Sequence, residues 1–238
     1  MYLVMGASGD PSALWAYRGL RERRVGPLEW VSLEALAGAG RWEHRVGADG
    51  AAVRVTLADG REIRSEGVRG AINRLWAAPG IAPGAVHPAD REYAEQELAA
   101  FYLSWLHALP PPVLNRPTPR GLCGAWRHAT EWRRLAARAG LPTPEHGGEG
   151  RDAGPVRTVY AVAGEVVGDD LPRGIREGCR RLARLAGTAL LGISLAPGTA
   201  AGWAFAGATP LPDLRPGGDA LLDALARALL RRGGGRPG

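Results

Sequence analysis

The chain has 238 residues, room for one large domain or two small ones, and its 45% hydrophobic and 23% charged residues are those of an ordinary folded protein. Thirty basic residues against 24 acidic ones give a net charge of +6, and every basic residue is Arg. With no Lys anywhere, a pyridoxal Schiff base, a Lys nucleophile and a Walker phosphate loop are excluded.

The chain opens on "MYLVMGASGD". It has no basic region or cleavage site and reads as a first strand, Tyr2–Met5, not a signal peptide. Pro11 to Arg24 reads as a helix, with Asp10 as N-cap and Pro11 in the first helical position. Leu28–Leu33 reads as a second strand. "RWEHRV" and "AAVRVTLADGREI" alternate like paired strands, with a turn at Asp59-Gly60. "GAINRL", Gly70–Leu75, reads as a buried strand.

The clearest helix is "HPADREYAEQELAAFYLSWLHALPPP". Ala94, Leu98, Phe101, Trp105 and Leu109 recur at three- and four-residue steps, which predicts one apolar face. Pro110–Pro112 stops it. A short strand "VLN" follows, then a helix near Thr130–Ala139 ending at Gly140. Glu145–Pro155 is polar, Gly-rich and linker-like. Beyond it come a hairpin turning at Ala163-Gly164, a helix with the stripe Ile175, Cys179, Leu182, Ala186 and Ala189, and two strands within Leu190–Leu214. Asp219 is the expected cap of a last helix carrying Leu222, Leu225 and Leu229.

Few residues offer chemistry. "GASGD", with Ser8 and Asp10, presents backbone N–H groups either to an anion or simply to a tight strand-to-helix turn. "AINRL" and "VLNRP" both put Asn-Arg at the end of a predicted parallel strand, where open sheets form their crevice. Asn73, Arg74, Asn115 and Arg116 are therefore the candidate ligand-binding residues. Either their guanidinium groups meet a carboxylate or phosphate, or they tie down loops. The five histidines lack metal-ligand spacing and read as structural or surface groups. Cys123 and Cys179 make no disulfide framework, so a reducing cytoplasmic setting is expected and Cys179 reads as a buried inert thiol. The Arg residues are interleaved with acids, as in "RGLRERR" and "EWRRLAAR", and read as solvated helix faces, so no nucleic-acid partner is expected. No apolar run reaches the roughly 18 residues of a membrane span.

Taken in order, "AEQELAAFYLSWLHALPPPVLNRPTP" and "EWRRLAARAGLPTP" resemble the pre-ATP-grasp region of ATP-grasp ligases, specifically the RimK-like and peptide-maturase group. "VRTVYAVAGEVVG", the Cys179 helix and "LLGISLAPGTAAGWAFAGATPLPDL" resemble the closing portion of the same family. The resemblance implies an α/β fold: a Rossmann-like pre-ATP-grasp unit over 1–144, a linker over 145–155, a truncated ATP-grasp-like α+β unit over 156–232 and a flexible tail over 233–238.

The departures from the family pattern set the functional expectation. The resemblance puts the metal-binding Asp at Ser194 and the metal-binding Glu and Asn at Gly207 and Thr209, with Pro210 retained. Magnesium is held by hard oxygen ligands, mainly carboxylates and phosphates, and Ser, Gly and Thr do not replace them. The family's phosphate-holding lysine and hinge strand would fall within Glu145–Val156, too short for a subdomain at about 3.3 Å per residue. The expectation is a degenerate ATP-grasp protein, without cofactor or metal, that binds a peptide or partner enzyme in peptide modification. The alternative is an ATP- and magnesium-dependent carboxylate–amine ligase with Glu165, Asp169, Asp170 and Asp213 as substitute ligands. A third is a Rossmann-type small-molecule binder using "GASGD".

Overall fold

The apolar run after Met1 forms β1 (Tyr2–Gly6), buried along its whole length. The computed structural model describes residues 1–48, 50–81, 86–143, 155–168, 171–197 and 202–231. α1 (Pro11–Glu22) follows, and the Asp10 carboxylate accepts hydrogen bonds from the Ser12 and Ala13 amides, so the expected cap is formed. β2 (Leu28–Ser32) lies parallel to β1. The strand reading ran one residue too far: Ser32 caps a five-residue helix, α2 (Leu33–Ala37), by accepting from the Ala35 amide. A helix that short carries no readable period.

β3 (Arg41–Gly47), β4 (Gly50–Thr56) and β5 (Glu62–Arg64) form a separate antiparallel sheet, with the expected turn at Asp59-Gly60 joining β4 to β5. β6 (Gly70–Asn73) returns to the parallel sheet, and α3 (Arg91–Ala108) crosses over to the two-residue β7 (Val113–Leu114). The parallel order is β2-β1-β6-β7. The carboxyl ends of β6 and β7, with their Asn-Arg pairs, thus lie side by side.

The buried face of α3 is rotated from the predicted stripe. Tyr102, Trp105 and Leu106 are fully enclosed, whereas Leu98 and Phe101 are only partly buried. Trp42 of β3 packs edge-on against Trp105 at 5.2 Å and also meets Phe101 and Tyr102. The Trp105 indole N–H has no hydrogen-bond acceptor in this aromatic cluster.

The second half begins with α4 (Ala129–Arg138), closed by Gly140 at φ +76°. β8 (Arg157–Val162), β9 (Glu165–Val167), α5 (Arg173–Ala186), β10 (Leu190–Ala196), β11 (Ala204–Thr209) and α6 (Gly218–Leu230) complete the chain. The strands make one antiparallel sheet in the order β11-β10-β8-β9. α4 and α5 cover one face, burying Trp132, Leu135, Cys179 and Leu182 against Val159, Ile193 and Phe205. α6 covers the other, and its core is shared with β1 and α1: Leu221, Leu225 and Leu229 pack with Val4, Ala16 and Leu20. The two halves are therefore joined by a continuous apolar core.

Asp219 does not cap α6. Gly217 holds the cap position, and the Asp219 carboxylate accepts from Arg23, just past the end of α1, at 2.7 Å, a second tie between the halves. The proposed linker and tail, residues 145–154 and 233–238, lie outside the described residues.

Pro212, two residues past the retained Pro210, presses directly on the sheet. A Cβ at Gly192 of β10 would come within 2.5 Å of the Pro212 Cβ, and the proline ring cannot swing away. Gly192→Ala is therefore expected to cost about 1–3 kcal/mol in a urea melt, the usual penalty of overpacking, although alanine suits a strand better than glycine.

Candidate functional site

The Asn-Arg pairs sit where the two halves meet, and their side chains are already spoken for. Asn73 is fully buried. Its amide donates to the Asn115 and Leu122 carbonyls at 2.9 and 2.7 Å, and its Oδ1 accepts from the Leu75 amide. Arg74 is buried between Asp10, at 2.7 Å, and the Pro212 carbonyl, at 3.0 Å. Asn115 takes the left-handed conformation at φ +46°, which asparagine tolerates better than most residues. Its side chain crosses to the second sheet, donating to the Leu190 and Pro210 carbonyls and accepting from the Leu190 amide.

Arg116 points elsewhere. It donates to the Leu109 carbonyl at 3.2 Å and to that of His107, at the end of α3, where a cation complements the helix dipole. Ser8 gives its amide and hydroxyl to Glu34 at 2.9 and 2.6 Å, and the Ser8 hydroxyl is the chief reason the Glu34 carboxyl lies below its ordinary range. Each candidate thus has an internal partner, contributed in most cases by a segment distant in sequence.

The hairpin β10–β11 carries the other candidates. Ser194 lies directly opposite Gly207, and Gly192 opposite Thr209, with a bulge between Ser194 and Leu195. Gly207 and Thr209 are two apart on one strand and Ser194 faces the first of them, so the three share one face. A Cβ at Gly207 would meet nothing within 4 Å, so the space for a longer side chain is there. The Thr209 hydroxyl accepts from the Leu211 amide.

The substitute ligands are engaged separately. Asp213 accepts from the Ser12 hydroxyl at 2.8 Å and from the Arg215 guanidinium, and Arg215, followed by Ser12, holds its carboxyl well below the usual range. Glu165 pairs with Arg227 of α6. Asp169 and Asp170 lie outside the described residues. Among the described residues no group of three His, Cys, Asp or Glu could hold a metal ion.

Two of the histidines have a role the sequence reading missed. His87 and His128 stand at helix N-caps, their Nδ1 accepting from the Ala89 and Thr130 amides. A His immediately ahead of a helical run was the available signal. Both thiols are buried, and burial pushes Cys123 up to about 11 and Cys179 to about 12. Neither is a thiolate at neutral pH. Both should react with a thiol reagent at pH 8 only after the protein is unfolded in urea. Because the folded values are raised, the stability they contribute is intact below about pH 9 and falls as the pH climbs through 11.

No family model and no curated protein matches the chain. Solved structures do. The macrocyclase MdnC from Microcystis aeruginosa, bound with precursor peptide MdnA, superposes with a TM-score of 0.74 at 12% identity, over 96% of this chain and 99% of that one. The ATP-grasp ligase PsnB, complexed with minimal precursor, Mg and ADP, gives 0.67 at 17% identity, over 97% and 98%. A Chryseobacterium gregarium RiPP-associated ATP-grasp ligase, in complex with ADP and a leader and core peptide, gives 0.67 at 9% identity, over 96% of both. The chain has the ATP-grasp fold. In this chain the closing hairpin presents Ser194, Gly207 and Thr209 on one face, and Arg74 and Asn115 lock that hairpin's surroundings to the parallel sheet. No helix among the described residues is long and apolar enough to cross a membrane.

Proposed function

We propose that this ATP-grasp protein is non-catalytic and serves peptide modification as a binding or accessory module, holding a peptide or a partner enzyme. The observation that carries the reading is the pairing of Ser194 with Gly207, flanked by Thr209. A magnesium ion bridging phosphates needs hard, mostly anionic oxygen ligands, and Ser194, Gly207 and Thr209 supply no carboxylate. Phosphoryl transfer depends almost wholly on positioning and charge neutralisation, so losing the metal and the lysine together removes its basis. Arg74, the most buried cation of the junction, is neutralised by Asp10 and does not stand in for that lysine. Support for the peptide half of the reading comes from the neighbours, which were crystallised with precursor peptides.

The test is turnover. The purified protein, incubated with Mg-ATP and an acidic peptide, should release phosphate no faster than buffer and leave the peptide mass unchanged. Magnesium-dependent phosphate release, matched by a peptide lighter by one water, would establish the ligase reading.

A further inference from the structure

A groove of about 220 Å³ runs between α4 and β11, apart from the buried Asn-Arg pairs. β11 is the edge strand of its sheet. On its outer side the Phe205 amide donates to the Pro142 carbonyl, and Ala206–Thr209 make no further backbone bond on that side among the described residues. Unpaired edge groups are a template for an added extended segment. The groove floor is apolar, formed by Trp132 and Phe205, both nearly fully buried. Its rim is Trp126, an indole left 69% exposed.

The charge around this groove is one-sided. Among the described residues no carboxylate lines it. Glu131, just outside, is shared between Arg120 and Arg127. Arg127 lies over the Trp132 ring and donates to the Ala186 carbonyl at 2.9 Å, while its buried Nε has no acceptor among the described residues. Arg133, exposed on the groove wall, has no ion pair or hydrogen bond among the described residues. Three guanidinium groups therefore face one carboxylate. The volume lies below the roughly 300 Å³ at which small-molecule sites begin, so a side chain or two fit and a nucleotide does not.

We propose that the α4–β11 groove docks a short extended acidic segment of a peptide. One carboxylate side chain meets Arg133, a neighbouring apolar side chain packs between Trp126 and Phe205, and the peptide backbone runs along the open side of β11. The inference rests on the peptide-holding reading above and names the chemistry of the peptide.

A fluorescently labelled hexapeptide of alternating valine and glutamate provides the probe, read by anisotropy on the full chain. It should bind saturably, and binding should weaken as salt is raised. The glutamine counterpart should bind about fivefold more weakly or worse. Arg133→Glu should cost the glutamate peptide about tenfold or more and give the lysine counterpart an affinity it lacks on the unmodified protein. Arg138→Glu, an exposed change on the same helix outside the groove, should leave binding within about twofold. Trp126→Ala, a change to an exposed side chain, should weaken binding without lowering the melting temperature. Equal effects of Arg133→Glu and Arg138→Glu, equal binding of the glutamate and glutamine peptides, or no binding up to about 1 mM would each overturn the groove assignment. That failure is separable from failure of the non-catalytic reading, which shows only in magnesium-dependent turnover. The charge swap at Arg133 is read the same way whether or not turnover occurs.

Discussion

Asn115→Leu is expected to lower the stability of the chain by at least about 3 kcal/mol. Asn115 is 2% exposed and makes three hydrogen bonds from its side chain, all to the second half. Leucine leaves the Leu190 amide and the Leu190 and Pro210 carbonyls without that partner. Each buried polar group so stranded costs about 1–3 kcal/mol. The branched side chain must also adopt φ +46°, at a further cost of about 1–2 kcal/mol. Asn115→Gly isolates the two contributions, since glycine takes that conformation freely and loses only the side-chain bonds. Urea denaturation of both variants measures the difference. A domain of ordinary stability has about 5–15 kcal/mol in hand, so the leucine variant should fold with a clearly shifted midpoint or not at all.

Arg74→Met is expected to cost about 3–5 kcal/mol for a different reason. The methionine fills much of the volume, but it leaves the Asp10 carboxylate, itself 15% exposed, without its cation, and the Pro212 carbonyl without its donor. A stranded buried charge is what makes breaking one side of such a pair expensive. Adding Asp10→Asn should recover about 1–3 kcal/mol, because asparagine still caps α1 while removing the charge. If the double variant is no better than Arg74→Met alone, the pair is not the source of the loss.

The sequence carries part of this junction in plain view. "AINRL" and "VLNRP" repeat the same pair at the ends of adjacent strands, which is enough to single out Asn73, Arg74, Asn115 and Arg116. What it does not carry is their partners. Asp10 and Pro212 lie 64 and 138 positions from Arg74, and Leu190 lies 75 from Asn115. Only the folded chain shows that the arginine reads a carboxylate of its own protein. The resemblance to ATP-grasp ligases was legible because turn residues punctuate the closing strands, and the register then puts Ser194 opposite Gly207.

The misreadings have local causes. α2 is one turn and a half long, below the length at which a period shows. Tyr102, off the predicted stripe of α3, is buried against Trp42, a residue from another sheet. Asp219 has the chemistry of a cap but finds Arg23 first. The α4–β11 groove combines residues 126–133 with 205–210, and no single stretch announces it.

The most direct measurement is a thermal melt of the full chain with Mg-ATP, repeated with EDTA. A ligand at a hundred times its Kd adds about 2.7 kcal/mol, which for a chain of this size moves the midpoint by about 5–10 °C. The account predicts no shift beyond that caused by salt alone. A saturable rise of that size that EDTA abolishes would mean that Ser194, Gly207 and Thr209 do not mark a lost metal site, and the non-catalytic reading would lose the observation that carries it.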